Sequence, residues 1–182
     1  QAFREAGLDW QWDEETYKVL LRSSGGMKRL RRLSADQDQA LSAEMVEKLH
    51  ARKTEIACAE ITDQGVDLRP GVMELMRFAR DASIRLALVT TTYRQNITAI
   101  AIGARQGLRL EDFAQVLTVE DVRQSKPNPE VYKLALSRLG ALPGNCLAIE
   151  DSVASLNDYF KQSTHSILLS PDMDLTQPAH PL

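Results

Sequence analysis

The chain has 182 residues, with 22 Lys and Arg against 25 Asp and Glu and a formal net charge of -3. Its 43% hydrophobic and 26% charged content is globular in character and excludes collagen-like, mucin-like and broadly disordered chains. The slight acidity speaks against a general nucleic-acid binder, which carries a net basic face. Two cysteines, Cys58 and Cys146, cannot make a disulfide framework or a four-ligand zinc site. No apolar run approaches the roughly 18 residues of a membrane span. No secretory signal is visible at the start, where the first residue is Gln1.

The first 60 residues carry helical patterns. Asp13 is placed to cap a helix over 14–21, with Glu14 and Glu15 in the favourable first turn. Ser23-Ser24-Gly25-Gly26 breaks it. Ser34 with Gln37 reads as a capping box for a short helix. Ser42 opens a long helix, with Met45, Val46, Leu49, Ile56 and Ala57 close to one face, ending near Asp63-Gln64-Gly65. Trp10 and Trp12 flank the first helix and read as packing between lobes.

After Pro70-Gly71 the pattern alternates. Val72, Leu75, Met76 and Ala79 mark an amphipathic helix. Residues 84–89 form an apolar run fit for a buried strand, closed by Thr90-Thr91-Thr92. Residues 94–102 read as helix and 115–118 as a strand. Pro129 sits in the first turn of another helix, with Asn128 as cap and Gly140 past the end. Residues 146–149 read as a strand running into Glu150-Asp151, and 166–169 as a last strand. This alternation predicts a Rossmann-like α/β core with a parallel sheet covered by helices. The predicted division is a small all-helical domain over 1–66 and an α/β core over 67–182.

Ligands of open parallel sheets bind outside the carboxyl ends of the strands. Three strand ends bear polar groups: Thr90 with Thr91, Thr92 and Asn96; then Ser125-Lys126-Pro127; then Glu150-Asp151. A hydroxyl can bond phosphoryl oxygens, and Lys126 can offset negative charge. Glu150 and Asp151 can hold Mg²⁺, which prefers oxygen ligands and keeps several waters. The array suits phosphoryl transfer by electrostatics and positioning. Each element also has a plainer reading. The threonines make ordinary turn chemistry, Lys126 is a solvated loop lysine, and Glu150-Asp151 is a helix N-terminus. Their joint occurrence, in order and at successive strand ends, favours the site.

LALVTTTYRQN, SKPNPEVY and LAIEDSVASL resemble the second, third and fourth motifs of haloacid dehalogenase superfamily phosphatases. The segment QAFREAGLDWQWDEETYKVLLRSSGGMKRLR, and the stretch from LHARKTE to DLRPGVMEL, resemble the helical cap of the CbbY-type branch. Together they cover residues 1 to about 157. That branch dephosphorylates sugar phosphates, xylulose 1,5-bisphosphate among them. The resemblance implies a Mg²⁺-dependent phosphatase acting through an aspartyl-phosphate. Thr90 would bond the transferring phosphoryl group and Lys126 would stabilise the phosphorylated aspartate. Glu150 and Asp151 would help to bind Mg²⁺, Asp151 as the direct ligand. Gly25, Gly26, Arg29 and Lys53 match substrate-binding positions of the cap, and Thr91 and Asn96, close behind Thr90, are expected to bind substrate as well.

Arg29 and Lys28 are expected to clamp a distal sugar phosphate, arginine bonding it through two N–H groups. A solvated basic face or a nucleic-acid patch is also open for Lys28-Arg29-Leu30-Arg31-Arg32. The partner expected is a small phosphorylated sugar, with no nucleic acid and no membrane. A monomer is expected, in the cytoplasm or, in a photosynthetic eukaryote, the plastid stroma. His50, His165 and His180 form no metal-binding pattern.

The family's first motif, Asp-x-Asp-Gly-Thr, does not occur in the 182 residues. In the family its first aspartate is the nucleophile and its second the general acid and base, and it follows a central strand. Without that strand its neighbours would face a gap of unpaired N–H and C=O groups. Each such group costs about 1–3 kcal/mol when buried, against a net domain stability of roughly 5–15 kcal/mol. The sequence therefore reads as part of a longer protein. A β-phosphoglucomutase-like sugar phosphomutase shares these motifs. A catalytically inactive relative that binds a phosphorylated ligand or a partner, or a gene fragment, is the reading from another class. The family's glycine after the acidic pair is replaced by Ser155, and 171–182 reads as an irregular tail.

Overall fold

The structure, a computed structural model, describes residues 1–10, 15, 26–35, 40–126, 128–150 and the backbone of 165–168. Two compact units divide the chain, Gln1–Gln64 and Gly65–Leu182.

The first unit is helical among the described residues, with α1 (Ala2–Glu5), α2 (Gly26–Ala35) and α3 (Ala43–Gln64). Ser42 starts α3 as expected, its hydroxyl accepting the Met45 N–H at 3.2 Å. Leu30, Val46 and Leu49 are its buried centre, with Phe3, Ala6, Leu8, Met27 and Leu41 packed around them. Arg52 of α3 bonds the Glu5 carboxylate of α1 at 2.6 and 3.2 Å. Trp10 packs edge-on against Phe3 within this unit, ring centroids 5.6 Å apart.

Ser34 does not begin a helix. It lies buried within α2 and its hydroxyl accepts the Leu41 N–H at 2.6 Å. Met27, Leu30 and Ser34 share one helical face, so the helix runs on through Ser34 to bury that stripe. Gln37, Trp12 and the helix expected over 14–21 lie outside the described residues, apart from Glu15, which is helical.

In the second unit, α4 (Val72–Asp81), β1 (Ala87–Val89), α5 (Arg94–Gly103), β2 (Gln115–Leu117), α6 (Glu130–Leu139), β3 (Leu147–Glu150) and β4 (His165–Leu168) follow in order. The first strand is shorter than the apolar run predicts. Ser83 takes a left-handed conformation (φ 57°), its N–H reaches the Arg80 carbonyl, and the Ile84 N–H reaches the Ala79 carbonyl at 2.7 Å. This Schellman closure of α4 commits Ile84 to the helix end and leaves its side chain exposed.

The strands pair in parallel, β1 with β2 and β3 with β4. Among the described residues they form two two-stranded sheets, not one continuous sheet. Helix α6 joins them. Its Val131, Tyr132 and Ala135 pack with buried Leu117, and both Val89 of β1 and Ala148 of β3 rest on that cluster. Gly140 ends α6 at φ 57°, where only glycine is free of a side-chain clash penalty.

Candidate phosphoryl site and basic cluster

Thr90 follows β1 directly, its N–H extending the ladder to the Leu117 carbonyl at 2.9 Å. Its hydroxyl accepts the Thr92 N–H at 3.2 Å, and the Thr92 hydroxyl accepts the Asn96 amide at 2.6 Å. Thr90, Thr91 and Asn96 are half-buried at this turn, so the threonines do organise the backbone while lying at the strand end.

Lys126 is not a solvated lysine. It is 5% exposed, donates to the Val89 carbonyl at 3.0 Å and pairs with the Glu150 carboxylate. Its ammonium also lies 4.6 Å from the centroid of the Tyr132 ring. The Tyr132 hydroxyl donates to the same Glu150 oxygen at 2.6 Å. Burial, then this bond to a carboxylate, pushes the Tyr132 phenol above its ordinary value, so it stays a donor. Lys126 thus ties the carboxyl end of β1 to that of β3.

The loop that carries Lys126 is held by Glu130, at the start of α6. Its carboxylate accepts the Arg123 and Gln124 N–H groups, each at 2.9 Å. Those bonds hold its carboxyl below the usual range. Asn128 caps the helix as expected, accepting the Glu130 N–H at 2.9 Å. Sequence reasoning gave neither Tyr132 nor Glu130 a role. Both stand in the quoted SKPNPEVY motif, so its spacing carried the signal.

The helical unit holds a second cluster. Arg29, His50 and Lys53 are half-buried, whereas Lys28, Arg31 and Arg32 are exposed. Burial, then the charge of Arg29, lowers the Lys53 ammonium. Burial, then Lys53 and Arg29, lowers the His50 imidazole. Such mutual effects require the three groups to be near one another. The basic run of α2 is therefore divided, with Arg29 turned toward α3 and Lys28 toward solvent. Gly26 begins α2, while Gly25 lies outside the described residues.

Glu150 offers the hard oxygens that suit Mg²⁺, but one of them already serves Lys126 and Tyr132. Asp151, the next residue, lies outside the described residues. Among the described residues no three His, Cys, Asp or Glu gather as a metal group. The donor chemistry fits a cation that takes one or two carboxylates and completes its shell with water and phosphate oxygens. No helix among the described residues is long and apolar enough to cross a membrane.

Residues 1–156 match the haloacid dehalogenase-like hydrolase family. The chain belongs to that family. Within it, the chain is 38% identical over 160 residues to protein CbbY of Rhodobacter capsulatus, covering 86% of this chain and 70% of that protein. It is 38% identical over 159 residues to a plasmid-encoded CbbY of Cupriavidus necator, covering 83% of this chain and 61% of the relative. A crystal structure of a CbbY mutant from Rhodobacter sphaeroides with xylulose-(1,5)bisphosphate is 32% identical. It superposes with a TM-score of 0.83, over 93% of this chain and 75% of the other. The expected CbbY-type branch and the Rossmann-like α/β fold of haloacid dehalogenase-type hydrolases both hold. A β-phosphoglucomutase structure from Thermotoga maritima, 21% identical with a TM-score of 0.62, shares the fold.

Proposed function

We propose that this protein is a Mg²⁺-dependent phosphatase of small phosphorylated sugars, a sugar bisphosphate such as xylulose 1,5-bisphosphate in particular. The observation that carries this reading is the buried Lys126 at the joined ends of β1 and β3, beside Thr90 and Glu150. A buried ammonium is costly unless it offsets negative charge. At the carboxyl ends of parallel strands that charge would belong to the phosphoryl group as well as to Glu150. The complex of a CbbY relative with xylulose-(1,5)bisphosphate supports the choice of substrate.

In this reading Thr90 donates its hydroxyl to a phosphoryl oxygen. Lys126 neutralises charge that builds on the transferring group, acting in a site where water is scarce. Asp151 would hold Mg²⁺ directly, and Glu150 would support it while orienting Lys126. The metal would supply charge neutralisation and substrate orientation. The phosphoryl group would pass to an aspartate that the 182 residues do not contain, and water would then release it. Residues 1–66 would act as the cap and 67–182 as the catalytic core. Arg29 and Lys53 would hold the distal phosphate, with Gly25 and Gly26 admitting it close to the backbone.

The test is release of inorganic phosphate from xylulose 1,5-bisphosphate by the full-length protein. Mg²⁺ removal and Asp151→Asn are each expected to abolish turnover and leave the folded state intact. Equal turnover in wild type and the Asp151 variant would sink the metal assignment. Recovery of an isomeric sugar phosphate without free phosphate would replace the phosphatase with a mutase.

A further inference from the structure

Tyr132 carries a hydroxyl that its packing does not need. The residue is 4% exposed on the buried face of α6, with Val131 and Ala135, and it belongs to the apolar cluster around Leu117. A phenylalanine ring would fill the same place, and its face would still meet the Lys126 ammonium, 4.6 Å from the ring centroid. What calls for tyrosine is the bond at the tip of the ring, where the hydroxyl donates to Glu150 Oε1 at 2.6 Å.

Both bonds to the Glu150 carboxylate fall on one oxygen. Lys126 Nζ and the Tyr132 hydroxyl each donate to Oε1, and Oε2 receives no hydrogen bond among the described residues. The last torsion of a glutamate is broad and roughly two-fold, so the side chain by itself does not distinguish its two oxygens. Nor does a lysine ammonium, a compact charge with three rotating donors on a flexible stem. A tyrosine does. Its ring is held by the packing of α6 on Leu117, which gives its hydroxyl a fixed place beside the end of β3. Glu150 keeps 13% of its side chain exposed, so the group is not sealed from an outer partner.

We propose that Tyr132 is a positioning residue for Glu150: its hydroxyl pins Oε1 beside Lys126, so that Oε2 is the oxygen kept for Mg²⁺ or its bound water. The inference rests on the reading of Glu150 and Asp151 as the metal-binding pair. Without the hydroxyl the carboxylate can turn and give both oxygens to Lys126, whose charge then competes with the cation for them.

The test measures the dissociation constant of Mg²⁺ alone for the full-length protein by calorimetry, with the unfolding temperature followed in parallel. D151N examines the underlying reading, while Y132F, E150Q and Y132F/E150Q examine the inference. V131A loosens the same apolar cluster without touching the carboxylate. Y132F keeps the ring, so the fold stands on the same packing, and it is expected to weaken Mg²⁺ binding about tenfold, the low end for loss of a group that orients a metal ligand. V131A should unfold at a lower temperature yet bind Mg²⁺ as wild type does. Y132F/E150Q should bind no more weakly than E150Q, since the hydroxyl then has no carboxylate to orient. In turnover of xylulose 1,5-bisphosphate, excess Mg²⁺ should restore the kcat of Y132F, with KM for the sugar equal to that of wild type. Unchanged Mg²⁺ affinity in Y132F while D151N weakens it would overturn the inference and leave the metal reading standing. Unchanged affinity in D151N would remove both. Equal weakening in V131A and Y132F would assign the effect to stability and overturn the inference, as would losses that multiply in the double variant.

Discussion

Lys126 and Glu150, 24 residues apart in sequence, meet as a buried ion pair, their side chains 5% and 13% exposed. The Val89 carbonyl and the Tyr132 hydroxyl complete the group, so both partners have hydrogen bonds beyond the pair. A pair of this kind is costly to break, because the remaining charge stays buried. Lys126→Met is expected to destabilise the second unit by about 3 kcal/mol, the low end for such a change, since Tyr132 still bonds Glu150. Lys126→Met with Glu150→Leu should cost less than the single change. Urea unfolding checks this, and a single-variant loss under about 1 kcal/mol would show that the pair is not holding the strand ends.

Thr118 is fully buried after β2 and forms a capping box with Asp121. Its hydroxyl accepts the Glu120 N–H, and the Asp121 carboxylate accepts the Thr118 N–H at 2.9 Å. Thr118→Ala should cost about 0.5–2 kcal/mol, the range for a lost cap, measured by the shift in the unfolding midpoint.

The same box implies a response to acid. The Thr118 N–H, then its hydroxyl and the Arg94 and Arg138 charges, hold the Asp121 carboxyl below its ordinary 3.8. A carboxyl lowered on folding lends stability above 3.8 that is lost as pH falls through its folded-state value. Asp121→Asn should flatten the stability profile below pH 3.8. An unchanged acid slope in that variant would assign the response to other carboxyls.

His50 implies a response nearer neutrality. Its imidazole is lowered from 6.5, chiefly by burial, so the unfolded chain binds the extra proton first. Stability of the helical unit should therefore be greatest above pH 6.5, decline as pH falls toward the folded-state value, and then level off. His50→Gln removes the group and should remove that slope. Unfolding temperatures taken across this range in both proteins would show it, and parallel curves would count against it.

The basic run of α2 gives a contrast within one segment. Arg29→Ala should raise the Michaelis constant for a sugar bisphosphate about tenfold or more, as loss of a charged hydrogen bond does, and more than for a small monophosphate ester. Lys28→Ala, Arg31→Ala and Arg32→Ala, all at exposed positions, should each change it less than about twofold. Equal losses at all four would point to a diffuse basic surface in place of a clamp.

The order of helices and strands was legible because local rules wrote it. Ser42 capped α3, Asn128 capped α6 and Gly140 closed it, each through bonds made within a few residues. Apolar runs at strand spacing found β1, β2 and β3, and the motif residues Thr90, Lys126 and Glu150 stood at or just beyond their ends. The errors arose where a local signal had two uses. Ser34 has the chemistry of an N-cap but faces the core, and Ile84 is apolar yet belongs to the closure of a helix.

By itself, then, the sequence determined the family, through the resemblance of its motifs, and also the parallel α/β plan and which groups bear charge, since these last two follow from spacing and side-chain chemistry along the chain. Only the tertiary structure decided which charges are buried and whom they meet. Lys126 finds Val89, Tyr132 and Glu150 across 37, 6 and 24 residues of chain, and Arg29 is parted from Lys28 by the turn of one helix. Burial and charge pairing depend on distances through space, which packing of α6 on both strand pairs and of α2 on α3 sets.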